Sequence, residues 1–239
     1  MSVEVISLIS FVVLLGAFIQ GTCGMGFALI VVPVISLLSP TSLPVTVLLL
    51  MLPLNAYIAW REWNALDKTG AIWIGIGRFI GTFGGIAILS LLSMKSLSIF
   101  VGLSTIFAAV ATWFIPAFNL NKKAYIGAGL ITGITETTTG IGGPPLALTY
   151  QHRPVAEMRA TIAVSFLFGE ILSLIFLALS GHIYPDLMYS SLWFLPALIV
   201  GSVLSQSIHN SINQKYMRIF VQIFALTSSI VLIVKAMSK

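Results

Sequence analysis

Charge is what this sequence has least of. Of 239 residues, 8% are Asp, Glu, Lys or Arg and 58% are apolar, where soluble domains carry roughly 25% charge. That balance excludes a soluble enzyme, a disordered chain and a nucleic-acid-binding protein. The net charge of +5 is read as loop charge that reports topology, not as a patch for an acidic partner. The single cysteine, Cys23, excludes an internal disulfide, and no Cys/His cluster has zinc spacing. No G-x-x-x-x-G-K-S/T loop occurs: Gly21 to Gly26 has the glycine spacing but runs on into Phe27 and Ala28, which argues against a nucleotide-driven pump within the chain. Neither a His-Glu-x-x-His helix nor a Gly-x-Ser-x-Gly elbow is present, so no hydrolase, no catalytic residue and no cofactor are expected. The N-terminus lacks the basic region and small-x-small site of a cleaved leader and is expected to be retained.

What is present is apolar length. From Val5 to Trp60 no charged residue occurs, and Ser96 to Asn121 and Leu187 to Gln214 are further uncharged runs. One membrane crossing needs about 20 apolar residues, so the chain reads as a polytopic helical protein with almost nothing outside the bilayer. Pro and Gly divide it into segments near 5-20, 27-38, 43-60, 70-92, 97-115, 124-135, 144-151, 157-179, 187-208 and 216-235. Two of these, 27-38 and 144-151, are too short to cross, and each follows a Gly-rich break, Gly21 to Phe27 and Thr137 to Pro145. Gly24-Met25-Gly26 superposes on Gly140-Ile141-Gly142 at an offset of 116, Pro40 on Pro154 at 114, and Lys95, Ile99 and Phe100 on Lys215, Ile219 and Phe220 at 120. Slowly drifting offsets indicate a duplicated unit, with residues 1-118 as the first membrane repeat and 119-239 as the second, in one integrated domain.

Loop charge separates the two ways a broken segment can travel. If each enters and returns, Arg61, Lys68, Lys122, Lys123, Arg153, Arg159, Lys215 and Arg218 share one side against Lys95, Lys235 and Lys239; if each crosses once, the split is five to six. The positive-inside rule favours returning hairpins. Each half is then a re-entrant hairpin plus three crossings, and the second half is inverted relative to the first. The expected fold is an all-α polytopic membrane protein with two inverted repeats, both termini outside the cytoplasm, in a bacterial-type inner membrane. Inverted repeats whose broken helices meet near the midplane are a transporter architecture.

Irregular backbone at membrane depth needs protein or a water-filled cavity around it, and a helix starting there offers free N–H groups and roughly half a positive charge to an anion. Thr22, Gly24, Met25, Gly26 and Phe27 in the first break, and Thr137, Thr138, Thr139, Gly140, Gly142, Gly143 and Pro144 in the second, are therefore the expected anion-binding residues. The plainer reading is that the glycines permit tight helix crossing. Glu136 lies deep in apolar sequence, where an ionisable side chain usually has a function; it is the first candidate for proton coupling or gating, against a protonated acid that fixes the hairpin. Glu170 has a direct role or an interhelical hydrogen bond, and Arg78 attracts substrate, snorkels or pairs with an acid. Gly77, Gly81 and Gly85 form a smooth packing face. His152 and Arg153 form an anion vestibule or an ordinary basic loop; Cys23 and Met25 are packing residues sooner than soft metal ligands. Trp60, Trp63, Trp73, Trp113 and Trp193 sit near span ends, as interfacial anchors do.

The two glycine-rich hairpins, each followed by a Pro-marked loop, with Arg61-Glu62-Trp63-Asn64 after the third segment and Gly140-Ile141-Gly142-Gly143-Pro144-Pro145-Leu146 in the second break, resemble the TauE/SafE family of sulfite and organosulfonate exporters, from about Val5 to Val234. The first signature departs from relatives in having bulky Met25 and Phe27 beside its glycines. The resemblance implies transport, without ATP or catalysis, of a small sulfur-containing or related carboxylate anion; membrane potential acting on the anion's charge, or a proton gradient, is the expected driving force. The implied partners are that anion and the lipid bilayer, with no nucleic acid; a homodimer is left open. The competing classes are a cation or metal permease, which needs several inward acids where only Glu136 and Glu170 qualify, and a non-transporting membrane assembly factor, whose midplane would be dry and collapsed.

Overall fold

A computed structural model describes residues 3–114, 120–150, 152–208 and 214–238. Among them there is no strand; the elements are α1 (Val3–Cys23), α2 (Phe27–Leu38), α3 (Val45–Arg61), α4 (Lys68–Leu91), α5 (Met94–Phe114), α6 (Lys122–Thr139), α7 (Gly143–Tyr150), α8 (Val155–Leu179), α9 (Pro185–Leu192), α10 (Leu195–Ile208) and α11 (Gln214–Met237), with short 3-10 turns at Pro40–Ser42 and Trp63–Ala65. Four helices, α1, α4, α8 and α11, are long and apolar enough to cross a membrane, and five spans result if α9 and α10 count as one bent pair. Of the other helices, α3 has 17 residues, short of a full crossing, and α5 has 21. The proposed boundary between the halves at 118/119 lies outside the described residues, as does Lys239.

Two segments differ instructively from the sequence reading. The span expected over 187–208 is broken, α9 and α10 meeting at 47°; Pro196 stands at the second position of α10, where its missing N–H and ring do not allow the preceding turn to continue as helix. Conversely, α1 and α6 run three and four residues further than expected. Thr22, Thr138 and Thr139 lie inside helix, each hydroxyl donating to the carbonyl four residues back at 2.7 Å, which satisfies side chains that would otherwise disfavour apolar helix. The helices stop only at Gly24 (φ 79°) and Gly140 (φ 84°), left-handed residues whose N–H groups bond the carbonyls of Gln20 and Glu136, each at 2.7 Å. The irregular breaks are thus 24–26 and 140–142.

The hairpins return, from opposite ends. Tyr125 near the start of α6 and Tyr150 at the end of α7 both donate to Asp67 Oδ2, at 3.0 and 2.8 Å, so the second hairpin opens at the Asp67 end. Asp67 caps α4 through the Gly70 N–H at 2.9 Å. Its partial burial pushes its carboxyl up, but the Gly70 N–H, the two tyrosine hydroxyls and nearby Arg153 outweigh that and hold it below the ordinary aspartate value. The first hairpin opens at the other end: Ile9, Ile35, Ser39 and Thr46 line one 220 Å³ cavity, and Lys235 Nζ donates to Leu37 O at 3.1 Å. Helix pairing follows a regular scheme. α4 packs along α6 as α10 packs along α1, α3 packs on α8, and α5 on α11; exchanging the halves maps this set onto itself.

The α4–α6 crossing brings backbone against backbone. A Cβ on Gly77 or Gly81 would run into the Ile126 or Leu130 carbonyl, one on Gly129 into the Ile74 carbonyl, and one on Gly133 would come within 2.7 Å of the Arg78 carbonyl. Both faces are smooth, the packing-face reading. Lipid is as apolar as a side chain, so such backbone approach, not hydrophobic burial, holds membrane helices together. The opposite face of α4 exposes Ile72, Ile76, Phe79, Ile80 and Phe83. Trp60, Trp63 and Trp193 are exposed, as anchors are, Trp73 takes a cation–π contact from Lys122 at 4.9 Å, and the Trp113 side chain lies outside the described part.

Candidate functional site

The two breaks meet. A methyl placed on Gly143, the first residue of α7, would lie 3.7 Å from Met25 Cβ, and one on Gly140 would lie within 3.2–3.3 Å of Val47 and Val32. The N-termini of α2 and α7 therefore sit at one depth, from opposite directions. Met25, Phe27, Thr22, Thr137, Thr138, Thr139, Gly140, Gly142, Gly143 and Pro144 are all buried. Gly24 and Gly26 adopt φ of 79° and 124°, values L side chains rarely reach; Gly24 packs on Arg159 and Gly26 on Ile19. Gly142 lies against Glu136, a Cβ there falling 2.8 Å from Glu136 Oε2, and its carbonyl accepts from Thr132 Oγ1 at 3.1 Å.

The threonine hydroxyls turn mostly into the fold. Beyond the intrahelical bonds, Thr138 also donates to Gly85 O at 3.1 Å, Thr139 Oγ1 accepts the Ile141 N–H at 3.1 Å, and Thr137 shares a 2.7 Å hydrogen bond with Ser173.

The expected ionisable residues are brought together. Arg78, Glu136 and Glu170 are each fully buried. Arg78 Nη2 donates to Glu136 Oε2 in an ion pair, its guanidinium carbon lies 5.4 Å from the centre of the Phe166 ring, and the guanidinium lies against Gly169, the residue before Glu170 in α8. Arg78 therefore pairs with an acid and does not snorkel. Gly169 makes this possible, because any side chain there would occupy the guanidinium position. Arg78 Nε and Nη1, Glu136 Oε1 and Glu170 Oε2 are buried with no hydrogen-bond partner. Two donors and two acceptors are thus unpaired beside the breaks, at a depth where each is expensive to leave so.

Sequence reasoning missed two members of this network. Phe27 N–H donates to Gln20 Oε1 at 3.1 Å, Gln20 Nε2 to Asn55 Oδ1 at 3.1 Å, and Asn55 Nδ2 to Glu170 Oε1 at 2.6 Å. Gln20 and Asn55 are completely or almost completely buried. A hydrogen-bonded line thus runs from the first residue of α2 to the carboxylate cluster beside the second break. The signal was available: Gln20 precedes Gly24 as Glu136 precedes Gly140, at the same offset of 116, and Asn55 precedes Glu170 by 115. One half carries amides where the other carries acids.

The remaining candidates lie apart. Arg153 pairs with Glu157 at 3.2 Å on the surface, and His152 is exposed beside it. Cys23 is buried, and among the described residues no group of His, Cys, Asp and Glu is placed to hold a metal ion. Two cavities open away from the breaks: a 290 Å³ pocket at the other end is lined by Leu37, Lys95, Ser98 and Lys235, and a 730 Å³ apolar groove lies on the outer faces of α4 and α8.

No curated protein and no solved structure matches this chain. A protein-family model described as sulfite exporter TauE/SafE matches residues 8–232.

Proposed function

The chain belongs to the TauE/SafE sulfite exporter family, and from that premise we propose that it is a secondary exporter of a small sulfur-containing or related organic anion, bound where its two breaks meet. The observation that carries this reading is the meeting itself: two helices begin at one depth, Gly143 against Met25, beside a buried arginine. Both N-termini carry partial positive charge, and the glycines Gly24, Gly26, Gly142 and Gly143 carry no side chain to keep a ligand from the backbone once the packing around them opens. In this closed conformation Gln20 Oε1 takes the Phe27 N–H; an anion arriving at α2 replaces that acceptor, and the halves separate to admit it.

The halves act as inverted units that rock against each other in an inner membrane, with the Asp67 end cytoplasmic. Charge arithmetic gives Glu136 and Glu170 a coupling role. Two carboxylates against one guanidinium leave an uncompensated negative charge in the bundle interior, a costly state that one shared proton removes. Proton coupling is an addition and not a requirement, since one negative charge leaving a negative interior gains about 2.3 kcal/mol per 100 mV. Close packing at the breaks is a feature an assembly factor would share, and flux separates the two.

The test is a proteoliposome current assay over sulfite, sulfate, thiosulfate, sulfonates and short carboxylates, with a tracer arm for electroneutral exchange. We expect saturable current or flux with at least one sulfur oxyanion; none with any of them refutes export.

A further inference from the structure

Directly against the first break, at the Asp67 end, lies a polar cluster that the meeting point of the breaks does not use. Arg61 closes α3 and Arg159 lies near the start of α8. Both reach the same oxygen of Glu62: Arg61 Nε at 3.2 Å, and Arg159 Nε and Nη2 at 3.0 Å each. Two further N–H groups hold the end of α1, Arg61 Nη2 on the Gly21 carbonyl at 2.7 Å and Arg159 Nη1 on the Thr22 carbonyl at 3.2 Å. Arg61 Nη1 is buried and has no partner. The three side chains are only 10%, 12% and 7% exposed for Arg61, Glu62 and Arg159.

Two guanidiniums and one carboxylate leave a net positive charge in a nearly dry place. The carbonyl end of α1 contributes roughly half a negative charge, which leaves the cluster short of neutral. Guanidinium presents a planar fork suited to oxyanions; Arg159 turns such a fork, and Arg61 a single N–H, onto one Glu62 oxygen, as they would onto a small shared anion. The position is also on the route: a Cβ on Gly24 would fall 2.7 Å from Arg159 Cγ, so Arg159 abuts the break.

We propose that Arg61 and Arg159 form a loading site for a small oxyanion at the cytoplasmic end, and that the Glu62 carboxylate is its built-in competitor, displaced when the anion enters. The proposal rests on the anion-export reading above. Arg61 Nη1, buried and without a partner, is the spare donor that an oxygen takes up once the anion has entered. Once Glu62 is displaced, the clamp on the Gly21 and Thr22 carbonyls is remade around the anion, which ties loading to movement of the first break.

Calorimetric titration of the full chain in detergent with sodium sulfite at low ionic strength tests the site itself. Glu62→Gln removes the competing charge, and sulfite is expected to bind at least about fivefold more tightly than to wild type, the size of one partly screened ion pair. Arg61→Gln in the same background is expected to cancel the gain, and Glu62→Asp, which keeps the charge, to stay near wild type; Glu62→Ala, which also removes the charge, is expected to tighten binding likewise and serves if the glutamine variant folds poorly. Unchanged or weaker sulfite binding in Glu62→Gln overturns the loading site. Wild-type sulfite flux is read separately in proteoliposomes: flux with unaltered Glu62→Gln binding keeps export and removes the site, whereas tighter binding without any flux keeps the site and removes export.

Discussion

The line from Phe27 to Glu170 has a direction that its first atom decides. A backbone N–H can only donate, so Gln20 must present its oxygen to Phe27 and its nitrogen to Asn55, and Asn55 in turn must donate to Glu170 Oε1. The amide orientations are therefore set by the start of α2, and the carboxylate at the far end is held as an acceptor. Asn55→Leu strands the Gln20 amide and the Glu170 oxygen, each worth about 1–3 kcal/mol when buried unpaired, and a clear fall in melting temperature is expected. Glu170→Gln keeps an acceptor for Asn55 and is expected to melt closer to wild type while its anion flux loses pH dependence. Equal melting losses would mean that the four groups are not linked. Glu136→Gln removes the carboxylate charge opposite Arg78, and breaking a buried pair costs about 3–5 kcal/mol; flux with an unaltered pH profile in this variant would remove Glu136 from the coupling step.

Among the elements, the α4–α6 pair sets the positions that matter, since Arg78 and Glu136 face each other only because the helices touch backbone to backbone. Glycine identity along this crossing is a steric demand. Gly81→Ala puts a methyl into the Leu130 carbonyl and within 3.1 Å of the Gly133 Cα, so the helices must separate. Gly127 lies on the same α6, with nothing within 4 Å of its Cβ position. We expect Gly81→Ala to lower the melting temperature in detergent and to abolish flux. Gly127→Ala is expected to hold or raise stability, since alanine favours helix by about 1 kcal/mol over glycine. Comparable losses in both variants would show that helix propensity, not contact, governs this pair. The two cap glycines act by a different cause: Gly24 and Gly140 are needed for left-handed φ, which ends α1 and α6 and lets the following helices start inside the fold.

Across the whole molecule, the basic residues sort by end. Arg61, Arg159 and the Asp67 cap with its tyrosines stand at one end, and Lys95 and Lys235 share a cavity at the other. This separation makes orientation measurable. In a Cys23→Ser background, Lys95→Cys is expected to react with a membrane-impermeant thiol reagent on intact cells, and Lys123→Cys only after permeabilisation. The reverse pattern would invert the assigned topology, and labelling of both on intact cells would refute opposite-end hairpins.

Composition alone determined the solvent: with so little charge, only a bilayer leaves this chain stable, and hydrophobic runs, Gly-rich breaks and their repeat follow from local sequence. The Thr and Gly spacing marked the breaks, though not their ends, because threonine back-bonding is a local satisfaction that propensity underrates. Only the tertiary structure decided that Arg78 pairs with Glu136, that Gly169 clears its path, and that Gln20 and Asn55 join the breaks. Those contacts link residues 35, 58 and 115 positions apart; the repeat offset marks Gln20 and Asn55 as counterparts of Glu136 and Glu170 but does not say which side chains touch. They depend on how closely α4 and α6 can approach, which is a property of two glycine faces together and of neither alone.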